Sequence, residues 1–231
     1  MKPILYSLST NGEEKMRNDP SINLHLGCSL QAMREMEDNQ YDLAIVDPPY
    51  GIGNWIPTNT SHQSNREEPI HNTVDWNDNP PSPEYFQELK RVSRKQIIWG
   101  ANFYKEIFPG ACLVWYKNVG NPKFSQVEIA YLSWGVRCDF VHINWSSGFY
   151  RVLKEGEQIH PCQKPIDLYK WILNRYAKEG DKILDTHLGS GSIACACYDL
   201  GFDLDAWELD KDYFEKTMER YTEHSKQTKL F

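Results

Sequence analysis

Short apolar runs and amphipathic stretches alternate along the chain from residue 21 onwards. The run 42–47 is apolar between its two aspartates and is followed by two prolines, which is typical of a buried parallel strand. Other runs predict strands over 21–26, 96–99, 112–116, 127–134, 138–145, 182–185 and 204–208. Helical periodicity predicts helices over 32–37, 83–92, 166–177, from Ser192 to Leu200, and 213–224. Because strands alternate with helices, the pattern predicts an α/β fold around a mostly parallel sheet.

The 231 residues predict a single domain that spans the whole chain, 1–231. Residues 1–21 are polar, and we expect a loose N-terminal arm there. Residues 51–83 are rich in Asn, Pro, Thr and Ser and poor in aliphatic side chains. A segment of that length is too long for a simple connection, so we expect a mobile, functional loop.

Composition narrows the class of protein. Apolar residues make up 40% and charged residues 25%, which excludes a disordered tail and a membrane protein. The first residues lack the long apolar run of a secretory signal. The six cysteines form no C-x-x-C pair, so neither a zinc ribbon nor a disulfide framework is indicated. We therefore expect a reduced, cytoplasmic protein with no metal site.

The charge is distributed unevenly along the chain. The formal net charge of −7 argues against nucleic-acid binding by bulk charge alone. Residues 90–124 nevertheless carry a charge of +6, and residues 199–219 carry −6. Candidate DNA-binding side chains in the basic segment are Lys90, Arg91, Arg94, Lys95, Lys117 and Lys123. On charge alone, solvated helix ends and loops are the better explanation.

The first candidate site is Asp47-Pro48-Pro49-Tyr50, at the carboxyl end of a predicted strand. Ligands of open α/β sheets bind outside such ends. Prolines lack an N–H group, so this segment offers acceptors that suit an exocyclic amine, which is a double donor. Tyr50 could stack on a planar base. The alternative is a strand that ends in a proline turn, but this four-residue string favours function.

The second candidate site runs from Asp185 to Ser192, between a strand and a helix. Its glycines permit close approach of a ligand to the backbone beside a helix N-terminus. Glu208 ends the next strand and could accept hydrogen bonds from two ribose hydroxyls. With Ala194 the segment also fits a dinucleotide fingerprint, but only about 40 residues follow it, too few for the second half of that fold. A nucleoside cofactor is therefore favoured over NAD.

The third segment is His160-Pro-Cys-Gln-Lys164-Pro165, just before a predicted helix. Lys164 could bind a ligand carboxylate or simply face water. Taken alone, this segment favours a polar loop without a function.

Together the three segments resemble the β-group of amino-type DNA methyltransferases, with the catalytic motif first and the glycine loop late. Asp47–Tyr50 resembles the (D/N/S)-P-P-Y motif, and residues 160–165 and 185–192 resemble H-P-T-Q-K-P and D-P-F-x-G-S-G. The likeness spans about residues 22–220. It implies a Rossmann-like, circularly permuted fold with a mixed, mostly parallel seven-stranded sheet and helices on both faces. It also implies S-adenosylmethionine as cofactor, double-stranded DNA as substrate and a role in restriction and modification.

The resemblance assigns the site residues. The implied catalytic residues are Asp47, Pro48, Pro49 and Tyr50. The implied cofactor-binding residues are Cys28, Asp47, His160, Gln163, Lys164, Asp185, His187, Gly189, Ser190, Gly191 and Glu208. The sequence departs from the family pattern at Thr186-His187. It also departs at Cys28, because the family usually has an aspartate at that position. Target recognition is expected within 135–159, a short region.

The aspartate form of the motif leans towards the N6 amine of adenine. N4 of cytosine is the nearest alternative, and a non-catalytic DNA-binding module and an NAD-linked oxidoreductase are alternatives of other classes. The tail 225–231 ends in Gln227-Thr-Lys-Leu-Phe231, which resembles a peptide that docks on the bacterial sliding clamp. A frayed tail is an equally good explanation. A homodimer is a further expected partner.

Overall fold

A computed structural model describes residues 5–8, 14–17, 19–52, 79–105, 110–119, 125–145 and 158–227. Four predicted features lie partly outside these ranges: the arm 1–21, the loop 51–83, the recognition region 135–159 and the tail 225–231. Lys123 lies outside them altogether.

Strands and helices follow the predicted order. The strands are β1 (Leu5–Leu8), β2 (Glu14–Arg17), β3 (Ile22–Leu26), β4 (Leu43–Val46), β5 (Gln96–Trp99), β6 (Ala111–Tyr116), β7 (Val127–Leu132), β8 (Cys138–His142), β9 (Lys182–Asp185) and β10 (Asp203–Glu208). The helices are α1 (Ser29–Arg34), α2 (Pro83–Val92), α3 (Ile166–Tyr176), α4 (Ser192–Leu200) and α5 (Lys211–Lys226).

The main sheet has eight strands in the described part of the chain, in the order β3-β10-β9-β4-β5-β7-β6-β8. All neighbouring pairs are parallel except the two that β7 makes, with β5 and with β6. The mixed, mostly parallel sheet is therefore confirmed, but the count of seven strands is wrong. All eight main-sheet strands that the hydrophobic pattern predicts join one sheet, because β8 pairs with β6 and extends its edge.

The strand directions define one functional edge. Since β6 and β5 both run antiparallel to β7, they run parallel to each other, and every strand of the sheet except β7 points the same way. The ends of β4, β9 and β10 consequently meet at a shared carboxyl edge. This is the edge at which open α/β sheets bind ligands.

Helices cover both faces of the sheet. Alternate residues of β4 point to opposite sides, so Ala44 and Val46 join the cluster under α1 and α2, whereas Leu43 and Ile45 join the cluster under α3 and α4. Because both faces are covered, β4 and β5 are buried along their whole length, which explains their continuous apolar sequence.

Two expectations differ from the structure near the N-terminus. The arm 1–21 was expected to be loose, but β1 and β2 pair antiparallel in it, and pairing satisfies their backbone groups. The first helix was expected over 32–37 but spans Ser29–Arg34. The Arg91 guanidinium donates to the carbonyl oxygens of Met33 (2.6 Å) and Met36 (2.7 Å), which supplies partners for the end of the helix and the turn after it.

Gly191 begins α4 in a left-handed conformation, with φ of +71°. A Cβ atom there would lie 2.5 Å from Cγ2 of Thr217, on α5. The Thr217 hydroxyl donates to the carbonyl oxygen of Gly189 at 2.5 Å. Helix α5 therefore packs on the glycine turn so closely that a side chain at position 191 does not fit.

We predict that Gly191→Ala lowers the free energy of unfolding by about 1–3 kcal/mol, through backbone strain and the collision with Thr217. Adding Thr217→Ser removes the colliding methyl group and keeps the hydroxyl, so the double variant should recover part of the loss. Urea denaturation of both variants and of Thr217→Ser alone measures this. A double variant no more stable than Gly191→Ala would contradict the packing explanation.

Candidate functional site

A cavity of about 560 Å³ opens at the carboxyl edge of the sheet. Its walls come from the ends of β4, β9 and β10, from the segment before α3 and from the residues that begin α1 and α2. The cavity has the size of a small-molecule site. It brings together segments that are more than a hundred residues apart in the chain, such as Asp47 and Lys164.

Asp47 directly follows β4 and lies almost buried at one end of this cavity. Its carboxylate accepts hydrogen bonds from the Lys164 ammonium and from the Tyr50 hydroxyl, the latter at 2.7 Å. Burial raises the pKa of Asp47, and the positive charge of Lys164 offsets part of that rise. The next residue, Pro48, adds a second acceptor, its carbonyl oxygen. This oxygen accepts a hydrogen bond from the Tyr104 hydroxyl at 2.8 Å.

The Tyr50 ring is held by the segment that follows β5. It stacks on the Phe103 ring, with centroids 5.0 Å apart and planes inclined by 14°. Gly100 has a φ of +70°, and a Cβ atom there would collide with the Tyr50 ring. The glycine therefore both turns the chain after β5 and leaves room for the tyrosine.

Glu208 anchors the glycine loop at the other end of the cavity. Its two carboxylate oxygens accept hydrogen bonds from the backbone N–H groups of Gly189 (2.8 Å) and Asp210 (2.9 Å). Burial raises the pKa of Glu208, and these N–H groups offset part of the rise. From α5, Arg220 donates to the carbonyl oxygen of Ser190 at 2.7 Å, so the loop is fixed from two sides.

Asp185 supports this loop from below rather than lining the cavity. It is 2% exposed and accepts a hydrogen bond from the backbone N–H of His187 at 3.0 Å. Burial raises its pKa to about 8, although that hydrogen bond works in the opposite direction. Burial also lowers the pKa of His187 to about 4, so this imidazole is neutral at pH 7. The Thr186 hydroxyl bridges it to the Tyr85 hydroxyl, at 2.9 and 2.6 Å.

The segment before α3 closes the cavity from the side. His160 lies edge-on against Tyr213, with centroids 4.5 Å apart, and both line the cavity. Gln163 is buried and does not line it; its side chain accepts the Ile159 N–H and its carbonyl accepts the Trp145 indole N–H. Gln163 therefore shapes the segment, and Lys164 reaches inward from it.

Most of the predicted site residues converge on this one cavity. Those that line it are Cys28, Asp47, Pro48, Pro49, Tyr50, His160, Lys164, His187, Gly189, Ser190 and Glu208. Those that do not line it are Gln163, Asp185 and Gly191. The last three hold the backbone that carries the others.

The basic cluster at 90–95 lies at the opposite edge of the sheet. It precedes β5, where the N–H of Ala44 donates to the Lys95 carbonyl, so it sits at the amino ends of the strands. The Arg91 guanidinium donates to carbonyl oxygens at and just after the end of α1, and it forms ion pairs with Glu88 and Asp38. The side chain of Arg94 pairs with Asp42 at 3.4 Å, and the Lys95 ammonium lies 5.4 Å from the centre of the Trp134 ring.

Lys90, Arg91, Arg94 and Lys95 therefore lie away from the cavity, and their binding to DNA stays a prediction. A run of like charges in sequence gives the sign of the charge, but it does not say which end of a strand the run occupies. Lys117 differs, because it follows β6 at the carboxyl edge. Its side chain is largely buried, and its ammonium pairs with Glu128 at 2.9 Å.

Sequence reasoning missed three side chains that shape the site: Tyr85, Tyr104 and Glu128. Glu128 stands in β7 beside the Lys164 ammonium, at 3.2 Å. An acidic residue within an otherwise apolar strand is a signal of a paired charge, and it could have identified Glu128. Nothing in the sequence gives the tyrosines' hydroxyl partners, which depend on how the loops fold.

The described ranges contain neither a membrane-spanning helix nor a cluster of metal ligands. Among those residues, none of the helices has the length and apolar character needed to span a membrane. Within the same ranges, no group of three or more His, Cys, Asp or Glu side chains is arranged to hold a metal ion.

The chain is similar to known DNA methyltransferases in sequence. The family model N6_N4_Mtase, described as DNA methylase, matches residues 114–219. Type II methyltransferase M.HpaI of Haemophilus parainfluenzae is 22% identical over 239 residues, which cover 86% of this chain and 74% of that protein. Type II methyltransferase M2.MboI of Moraxella bovis is 24% identical over 249 residues, 89% of each.

The fold is also similar to solved structures. The M1.HpyAVI–SAM complex matches with a TM-score of 0.56 at 17% identity, covering 86% of this chain and 99% of that one. The PvuII DNA methyltransferase, which is cytosine-N4-specific, matches with a TM-score of 0.53 at 13% identity, covering 90% and 95%. At these identities the likeness establishes the α/β fold.

The sequence matches, the shared fold and the order of the motifs along the chain agree. The chain is thus similar to the N6/N4 family of DNA methylases over residues 114–219 and to two Type II methyltransferases over most of its length.

Proposed function

We propose that this protein transfers a methyl group from S-adenosylmethionine to N6 of an adenine that is flipped out of double-stranded DNA. One observation carries the proposal. The two acceptors of the Asp47–Pro48 segment and the glycine loop with Glu208 line the same cavity. An amine acceptor and a nucleoside-binding loop are thus the two ends of one site. We further propose that 1–231 acts as a single methyltransferase domain.

The residues present fit the cofactor. The glycine loop offers close approach to the backbone at Gly189 and Ser190, and the Glu208 carboxylate can accept hydrogen bonds from ribose hydroxyls while it holds the loop. Cys28, His160 and His187 line the surrounding wall. When bound, S-adenosylmethionine supplies a methyl group already activated on a sulfonium, so no metal or covalent nucleophile is required.

The Asp47–Pro48 segment recognises the target amine. The Asp47 carboxylate and the Pro48 carbonyl accept its two N–H bonds, which draws the nitrogen lone pair out of conjugation with the ring. Tyr104 holds the Pro48 carbonyl in position, and a carbonyl oxygen has a second lone pair for the amine. Catalysis is then mainly a matter of positioning the amine in line with the methyl group, and the surplus proton leaves to solvent.

The target base must leave the duplex to reach this cavity, at a cost of a few kcal/mol. We propose that the Tyr50 ring stacks on the everted base, which contributes about 1–3 kcal/mol. DNA contacts are assigned to the loop 51–83 and the recognition region 135–159. We do not assign them to the cluster at 90–95, which lies at the far edge.

N4 of cytosine is the second candidate target. It presents a similar amine on a planar ring, and one fold relative, the PvuII enzyme, is cytosine-N4-specific. The aspartate in Asp47–Tyr50 favours adenine, as the family resemblance implies. Docking of Gln227–Phe231 on a sliding clamp and formation of a homodimer remain predictions.

We predict that Asp47→Ala abolishes methyl transfer while the affinity for S-adenosylmethionine changes by less than about tenfold, because the carboxylate binds the amine and not the nucleoside. The assay follows tritium from labelled cofactor into duplex DNA and separates N6-methyladenine from N4-methylcytosine by chromatography. Asp42→Ala, at the opposite end of β4, is the control. Tritium in N4-methylcytosine would show that cytosine is the target base. Methyl transfer by Asp47→Ala at the wild-type level would show that Asp47 takes no part in the reaction.

We predict that Glu208→Gln weakens cofactor binding by about 1–3 kcal/mol, because the amide cannot accept both backbone N–H bonds and the ribose hydroxyls. Isothermal titration calorimetry measures the affinity without any DNA. Glu223→Gln, an exposed position on α5, is the matched control. An unchanged affinity in Glu208→Gln would place the ribose elsewhere.

A further inference from the structure

Four charged side chains of alternating sign form a continuous chain behind the cavity. Lys164 contacts Asp47 on one side and Glu128 on the other, the latter at 3.2 Å. Glu128 in turn contacts Lys117 at 2.9 Å. The order is therefore Asp47, Lys164, Glu128, Lys117, and their formal charges sum to zero.

This chain of ion pairs lies inside the protein. The Lys164 side chain is 4% exposed, and those of Lys117, Asp47 and Glu128 are 13%, 15% and 24% exposed. The Lys164 ammonium also lies 5.3 Å from the centre of the Trp99 ring, which borders it from β5. Buried charges are costly unless they are paired, so removal of any member leaves a neighbour without compensation.

The geometry separates Lys164 from the role that the sequence suggested for it. A lysine that binds a ligand carboxylate must present its ammonium to the ligand. Here the ammonium is already shared between two carboxylates of the protein, on β4 and on β7. The Lys164 ammonium therefore acts on the Asp47 carboxylate and not on a ligand.

The chemical need for such a neighbour follows from the proposed function, on which this inference rests. An amine donor requires an acceptor, and a protonated carboxyl group would instead present a donor of its own. Burial favours the protonated form, whereas an adjacent ammonium favours the carboxylate. Glu128 shares the ammonium, so Lys164 does not bind Asp47 with its whole charge, and Lys117 balances Glu128.

We propose that Lys164, held in place by Glu128 and through it by Lys117, is a positioning residue that keeps Asp47 ionised and oriented towards the target amine.

The sign of the expected pH effects follows from the groups around Asp47. The charged or titratable side chains that act most strongly on it are Lys164, Glu128 and Tyr50. Asp185, Tyr85, Tyr169 and Cys162 also lie within electrostatic reach of it. Lys164 also faces the Cys162 thiol. Removing the positive charge of Lys164 must raise the pKa of Asp47, and removing the negative charge of Glu128 must lower it. Activity requires the carboxylate, so the acid limb of the pH profile moves with that pKa.

The experiment compares Lys164→Gln, Glu128→Gln and wild type. Single-turnover methylation is measured from about pH 5 to 9, and the Asp47 carboxyl carbon is titrated by ¹³C NMR in the absence of DNA. We expect the acid limb and the NMR midpoint to rise by about one pH unit or more in Lys164→Gln and to fall in Glu128→Gln. Lys170→Gln is the control, since it breaks an ion pair between Lys170 on α3 and Asp199 on α4 (2.6 Å) and should leave both readouts unchanged.

The two readouts separate this inference from the proposed function. If the wild-type protein methylates no DNA but the NMR midpoints move in opposite directions, the inference stands as a statement about Asp47 and the proposed function fails. If both variants shift in the same direction, or neither shifts, the inference is overturned. A fall in cofactor affinity in Lys164→Gln with an unmoved midpoint would return Lys164 to cofactor binding. If Lys164→Gln does not fold, the absence of a downward shift in Glu128→Gln still overturns the inference.

Discussion

The ion pair between Lys164 and Asp47 is the contact on which the site depends. It joins the segment before α3 to the end of β4 across 117 positions of sequence, and both side chains are largely buried. A carboxylate in that position needs a positive partner, because burial alone would favour its neutral form. The chain therefore has to bring a lysine to the aspartate, and it does so by closing the segment 158–165 over the carboxyl edge of the sheet.

The other end of the cavity is organised by hydrogen bonds to a carboxylate instead of an ion pair. Glu208 gathers the N–H groups of Gly189 and Asp210, and α5 holds the loop through Thr217 and Arg220. The loop is thus fixed by contacts that do not require a ligand. A preformed loop binds a nucleoside at a lower entropic cost than a loop that has to be ordered on binding.

Sequence patterns predicted the elements well where one physical signal dominated. The apolar runs of β4 and β5 and the proline at the start of α2 gave these elements their bounds within a residue. The hydrophobic pattern did not give the bounds of an element where contacts with residues distant in sequence determine them. Arg91 donates to carbonyl oxygens at the end of α1 and in the turn after it, and the chain gives no local sign of these contacts.

By itself the sequence determined the α/β class, the position of Asp47–Tyr50 at a strand end and the candidate residues of the glycine loop, because these follow from periodicity and local backbone chemistry. Only the tertiary structure decided which charges meet. Lys117 was a candidate for DNA and Lys164 a candidate for the cofactor, yet both belong to one buried chain with Glu128 and Asp47. An ion pair depends on distance and burial, and both are properties of the folded chain that local sequence does not contain.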